Sequence, residues 1–97
     1  MFIIELTYKK SLTAVNDFLE EHKQFLETYY AKGVFIASGA KVPRDGGMII
    51  AEATEEAIKD IIKEDPFHIQ SIADYKITQF MPSKYSDEFA RVMQALP

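Results

Sequence analysis

This chain contains no cysteine, so disulfides, thiol nucleophiles and cysteine-bound metals are excluded outright. The same absence fits a cytoplasmic address. Positive charge is not concentrated either. The formal net charge is −4, and the 11 Lys and Arg residues are scattered without a run. Clustered cations are what grip a phosphate backbone, so nucleic acid is not an expected partner. No apolar stretch approaches the ~18–20 residues that span a bilayer, so no membrane segment is expected. The opening Met1-Phe2-Ile3-Ile4-Glu5 lacks a basic segment and meets an acid at once, unlike a secretory signal. There is no repeat, linker or low-complexity segment. What is present is ordinary for a globular protein: 97 residues, 47% apolar and 27% charged, enough for one core.

Hydrophobic periodicity divides the chain. Phe2, Ile4, Leu6 and Tyr8 alternate with Ile3, Glu5 and Thr7, which predicts a strand with one face in a core. Ser11 or Thr13 can cap the helix that follows. Its stripe is Val15, Phe18, Leu19, His22, Leu26, Tyr29 and Tyr30, with His22 near the middle, and Lys32-Gly33 ends it. Val34 to Ala40 reads as a second strand and Met48 to Ala53 as a third. The turn-rich Lys41-Val42-Pro43-Arg44-Asp45-Gly46-Gly47 joins them as an antiparallel hairpin. Thr54 caps a short helix with Ala57, Ile58, Ile61 and Ile62 as its core face. Ile72 to Met81 predicts a fourth strand, stopped by Pro82. Tyr85 to Leu96 predicts an appended helix opened by Ser86-Asp87-Glu88, with Phe89, Val92, Met93 and Leu96 as its stripe.

Strand, helix, strand, strand, helix, strand is the ferredoxin-like βαββαβ order. It predicts an α+β domain with a four-stranded antiparallel sheet and two helices on one face. The domain is expected over residues 1–82, with residues 83–97 as a helical extension packed on it or on a dimer partner. The other sheet face would carry Ile3 and either Phe35 or Ile36, and apolar surface of that kind predicts a homodimer or higher homo-oligomer.

The candidate chemistry gathers around Glu64-Asp65-Pro66-Phe67-His68. Pro66 pushes Asp65 toward extended geometry, outside the preceding helix, with an aromatic just behind it. His22 is its natural partner. On the residues alone His22 reads either as a core histidine bonded to a backbone carbonyl or as a proton carrier at the rim of a cleft. Asp65 reads either as a cap or as the carboxylate that fixes the imidazole tautomer. Ser38-Gly39 reads either as a small-residue strand end or as a ligand-facing hydroxyl beside open backbone. Glu64 and His68 could join His22 and Asp65 around zinc or manganese, but no short metal spacing is present, so no metal or other cofactor is called for. Ser38 also lacks the Gly-x-Ser-x-Gly setting of a hydrolase nucleophile.

Four pieces carry a resemblance to a known family. They are Glu21-His22-Lys23, the run from Lys32 through Gly33, Phe35, Ser38 and Gly39 to Ala40, Asp65-Pro66-Phe67, and Tyr75-Lys76-Ile77-Thr78-Gln79-Phe80. Together they resemble the YciI-like (YCII-related) proteins over nearly everything to residue 82. The resemblance implies a dimeric α+β barrel of ferredoxin-like units. It also implies a pocket holding His22 and Asp65, lined by Ser38 and Gly39, with Phe67 beside them. An arginine common a few residues before the histidine is absent, Phe18 and Leu19 standing there instead. The family includes a dehydrochlorinase acting on a chlorinated hydroxyquinol and shares its fold with muconolactone isomerases.

The expected function is therefore a cofactor-free lyase or isomerase, dehydrochlorinase-like or muconolactone-isomerase-like, with a small cyclic or aromatic metabolite as ligand. Its His22–Asp65 dyad would move a proton while Ser38 and nearby backbone N–H groups steady an oxyanion. The alternative is a non-catalytic dimeric module that binds a small molecule, with a cofactor-independent monooxygenase as a third reading.

Overall fold

Alternation in the first strand decides how the layers form. In the computed structural model, which describes residues 1–95, Phe2, Ile4 and Leu6 of β1 (Phe2–Tyr8) are at most 2% exposed. Their neighbours Ile3 and Glu5 are half-buried and Thr7 is exposed on the opposite face. Three more strands, β2 (Phe35–Ala40), β3 (Gly46–Ala51) and β4 (Ala73–Gln79), complete an antiparallel sheet of order β2-β3-β1-β4. That is the ferredoxin-like order, as expected.

Helices α1 (Leu12–Asp17), α2 (Leu19–Ala31) and α3 (Glu55–Ile62) cover the apolar face. Val15, Phe25, Tyr29, Ile58, Ile61 and Ile62 close one core with Phe2, Ile4, Leu6, Phe35 and Ile49. Both predicted caps form. Ser11, not Thr13, opens α1 by accepting from the Ala14 amide, and Thr54 opens α3 by accepting from the Ala57 amide. Gly33, at φ 75°, supplies the left-handed residue after α2 that a side chain would resist.

The first helical segment departs from the single helix expected. It breaks at Phe18, whose backbone (φ −112°, ψ 7°) caps the C-terminus of α1 and the N-terminus of α2. Asn16 and Asp17 just before it are weak helix formers. The buried residues of α2 are Phe25 and Tyr29, whereas Tyr30 stays 36% exposed. Phe25 was absent from the expected stripe. Position 22 now lies where two faces of α2 meet.

Strand boundaries shift by a few residues at β3 and β4, which end at Ala51 and Gln79. Between α3 and β4 the chain forms a further short helix, α4 (Pro66–Ile69), instead of a plain turn. Ser71, at positive φ, then reverses the chain into Ile72 and β4. In β2 the register slips between Phe35 and Ala37, leaving Ile36 unpaired and turning Phe35 into the core. The open sheet face therefore carries Ile3, Met48 and Ile50, with Met48 37% exposed. The final helix α5 (Asp87–Ala95) starts where expected, Ser86 accepting from the Phe89 amide. Phe89 and Met93 are half-buried and Val92 is exposed, while Leu96 of the expected stripe lies outside the described residues. Among the described residues no helix is long and apolar enough to cross a membrane.

Gly46 shows how tightly the hairpin meets β1. A Cβ placed on it would sit 1.8 Å from the Leu6 carbonyl oxygen, a backbone atom that cannot swing away. Gly46→Ala is expected to lower stability by roughly 2–4 kcal/mol through backbone displacement. Chemical denaturation checks this, and an unchanged midpoint would contradict the packing.

Candidate active site

The Asp65-Pro66 pair does its work through backbone geometry. Asp65 is extended (φ −69°, ψ 125°), as a residue before proline prefers, and Pro66 begins α4 where a missing N–H costs nothing. Asp65 is thus the N-cap of α4, its Oδ1 accepting from the Phe67 amide at 2.9 Å. It is also 0% exposed. Capping and dyad formation, alternatives on the sequence alone, are here two contacts of one carboxylate.

His22 of α2 supplies the second contact. Its Nδ1 lies 2.8 Å from Asp65 Oδ1 across 43 residues of sequence. An ionised carboxylate only accepts, so Nδ1 carries a proton, and in the neutral ring that tautomer puts the lone pair on Nε2. Nε2 makes no hydrogen bond among the described residues, and the His22 side chain retains 12% exposure. Phe67 holds the ring from beneath, stacked at 4.0 Å between centroids and 5° between planes. Phe67 is itself pinned edge-on by Tyr8.

The third contact went unread in the sequence. Tyr75 of β4 donates its hydroxyl to Asp65 Oδ2 at 2.5 Å. Tyr75 and Ile77 are the half-buried residues of β4, and a tyrosine so placed needs a partner for its hydroxyl. Nothing local in sequence says which. Glu64 and His68 do not join the group. Glu64 accepts from Tyr29 at 2.6 Å, and His68 is exposed, its ring edge-on to Tyr75. Among the described residues no three His, Cys, Asp or Glu side chains converge to hold a metal ion.

His22 opens onto a cavity of about 380 Å³ between α2 and the β2–β3 side of the sheet. That size is within the range of small-molecule sites. Leu19, His22, Lys23 and Leu26 line it from α2 at helical spacing, and Leu6 and Ile49 line it from the sheet. Ser38 and Gly39 form part of its β2 wall, and Phe67 part of its floor. The Ser38 hydroxyl lies 2.7 Å from that of Tyr30, so two hydroxyls share one hydrogen bond at this edge. Lys23, Asn16 and Arg44 also border the cavity and were not singled out in the sequence.

The family model of the YCII-related domain matches residues 1–81. The chain belongs to that family. No curated protein matches it in sequence. Among solved structures it is similar to 5-chloro-2-hydroxyhydroquinone dehydrochlorinase (TftG) from Burkholderia phenoliruptrix AC1100, in complex with 2,5-dihydroxybenzoquinone. The TM-score is 0.76 at 19% identity, over 89% of this chain and 98% of the other. At that identity the likeness carries the fold. In this YCII-related domain α5 lies beyond the matched residues.

Two buried phenols give the site region a measurable signature. Burial first, then the Asp65 charge and hydrogen bond, push the Tyr75 phenol far above its ordinary value near 10. Tyr29 is pushed up to about 12, by burial first and then by Glu64. Both phenols keep protons that the unfolded chain would release. Their contribution to stability is therefore complete below pH about 10 and falls as pH climbs toward the folded values. Tyr75→Phe and Tyr29→Phe should each remove one late-ionising phenol from an ultraviolet absorbance titration. Ionisation of either near pH 10 in the folded protein would contradict the contacts.

Proposed function

We propose that the cavity is the active site of a cofactor-free lyase or isomerase, with His22 as its proton carrier and a small cyclic or aromatic metabolite as substrate. The observation that carries this reading is the arrangement of one imidazole. Nδ1 is tied to a buried carboxylate, the ring is stacked, and Nε2 has no hydrogen-bond partner among the described residues, while His22 lines a largely apolar cavity. A base must be held in one tautomer and have its lone pair free to work.

In the proposed step Nε2 removes a proton from an acidic C–H or O–H of the ring. The electron pair moves to an adjacent oxygen as an enolate or phenolate. Return of the proton at a second carbon completes an isomerisation, and departure of a leaving group with the electron pair completes an elimination. Asp65 orients the imidazole and offsets its charge once protonated. Tyr75 and the Phe67 amide keep Asp65 in place. Ser38, paired with Tyr30 beside Gly39, is assigned to the developing oxyanion. Phe67 belongs to the site as the support of His22 and part of the floor beneath the ligand. The solved neighbour, a dehydrochlorinase holding a dihydroxybenzoquinone, supports this class of ligand.

His22→Asn separates catalysis from architecture, because the asparagine amide can stand where Nδ1–H stands while nothing replaces Nε2. Ring metabolites that raise the melting temperature of the wild type should exchange an acidic C–H for deuterium in D2O, followed by NMR. The asparagine variant should lose about 10²–10⁴-fold of that rate while still binding. Equal exchange by the two proteins would overturn the proposal and leave the binding-module reading in front.

The proposal includes a homodimer through the open sheet face, where Ile3, Met48 and Ile50 lie together. The extension from residue 83 would dock by Phe89, Val92 and Met93 on its own domain or on the partner. Light scattering is expected to give twice the chain mass at micromolar concentration. A monomer there would remove the dimer, and truncation after residue 83 with no change in mass or melting temperature would remove the docking.

A further inference from the structure

The charge of the cavity runs against the charge of the chain. Acids outnumber bases 15 to 11 overall, yet no carboxylate lines the cavity. Its ionisable lining consists of His22, Tyr8, Lys23 and Arg44. Arg44 comes from the hairpin between β2 and β3, and its Nη2 donates to Asn16 Oδ1 of α1 at 2.8 Å. That bond draws the guanidinium from the hairpin tip across to the helical wall. The adjacent acid, Asp45, pairs with Lys41 at 3.6 Å and forms no ion pair with the arginine. Lys41 is also held by Glu5, at 3.1 Å. Among the described residues Arg44 therefore has a neutral side-chain partner and no ion pair, at the mouth of a cavity with mainly apolar walls.

We propose that Arg44, positioned by Asn16, is the specificity-determining cation of this cavity, and that its ligand is a small ring carrying an anionic oxygen, a carboxylate or a phenolate. Lys23, beside His22 on α2, is a second cation in the lining. A planar guanidinium with donors to spare pairs with such an oxygen through charge-assisted hydrogen bonds. The same contact would place the anionic end of the ring against the hairpin and leave the remainder for the His22 side. The inference rests on the reading of this cavity as the active site, and it concerns which ligands enter, not which protons move.

Benzoate and its neutral analogue benzamide are the probes, titrated into the full chain by NMR. The wild type should bind benzoate about tenfold more tightly than benzamide, and added salt should narrow the gap. Arg44→Gln should erase the preference by weakening benzoate, and Arg44→Lys should retain part of it. Asn16→Ala, which releases the guanidinium, should lower it partially. Equal affinity of the two probes for the wild type would overturn the proposal. So would binding of neither probe, or a preference that survives Arg44→Gln. A preference lost in Arg44→Gln but kept in His22→Asn, in a protein that exchanges no ligand protons, would uphold the anion site while removing the catalytic reading.

Discussion

One buried carboxylate organises this protein. Asp65 has no exposed surface, and an ionised group so placed survives only if donors replace the water it has lost. Three do so: the Phe67 amide and the His22 imidazole on Oδ1, and the Tyr75 hydroxyl on Oδ2. They come from α4, α2 and β4, elements that no local interaction would bring together. The same contacts that satisfy the carboxylate fix the angle at which the histidine meets the cavity. The packing and the cavity contacts of His22, alternatives when only the sequence is considered, are here made by one ring.

The helix carrying that histidine has two working faces because it is not a continuation of α1. The break at Phe18 turns Phe25 and Tyr29 into the core and Leu19, Lys23 and Leu26 toward the cavity, with His22 shared. Phe67 completes the arrangement from below. Its backbone amide caps onto Asp65 while its ring stacks on His22, so a four-residue helix aligns both members of the pair. The rigidity is what a base needs, since every ring orientation excluded in the resting protein need not be excluded again at the moment of reaction.

Much of the architecture was legible from residue pattern. Alternation in β1, the glycine after α2, the caps at Ser11 and Thr54 and the hairpin signals are short-range physics, settled by sterics and hydrogen bonding within a few residues. They suffice for the order of strands and helices, and that order admits few sheets. The pairing of His22 with Asp65 was also within reach, because the topology puts α2 and the start of α4 on one face of the sheet. Pro66 further determined the backbone of Asp65 without help from the rest of the chain.

What the sequence could not determine depends on distances between residues far apart in the chain. Tyr75 was visibly inward, but its choice of Asp65 over any other acceptor is a matter of register between β4 and β1. Glu64 and His68 adjoin the aspartate in sequence and turn elsewhere, Glu64 to Tyr29 and His68 to the surface, because a helix start sends successive side chains in different directions. Arg44 lies in a hairpin loop with no periodicity to orient it. Only the closure of the sheet against α1 brings it to Asn16 and to the cavity. Local sequence thus determined which elements form and in what order, since backbone sterics and hydrophobic period act over a few residues. Tertiary packing alone decided which side chains meet at Asp65 and which charges border the cavity.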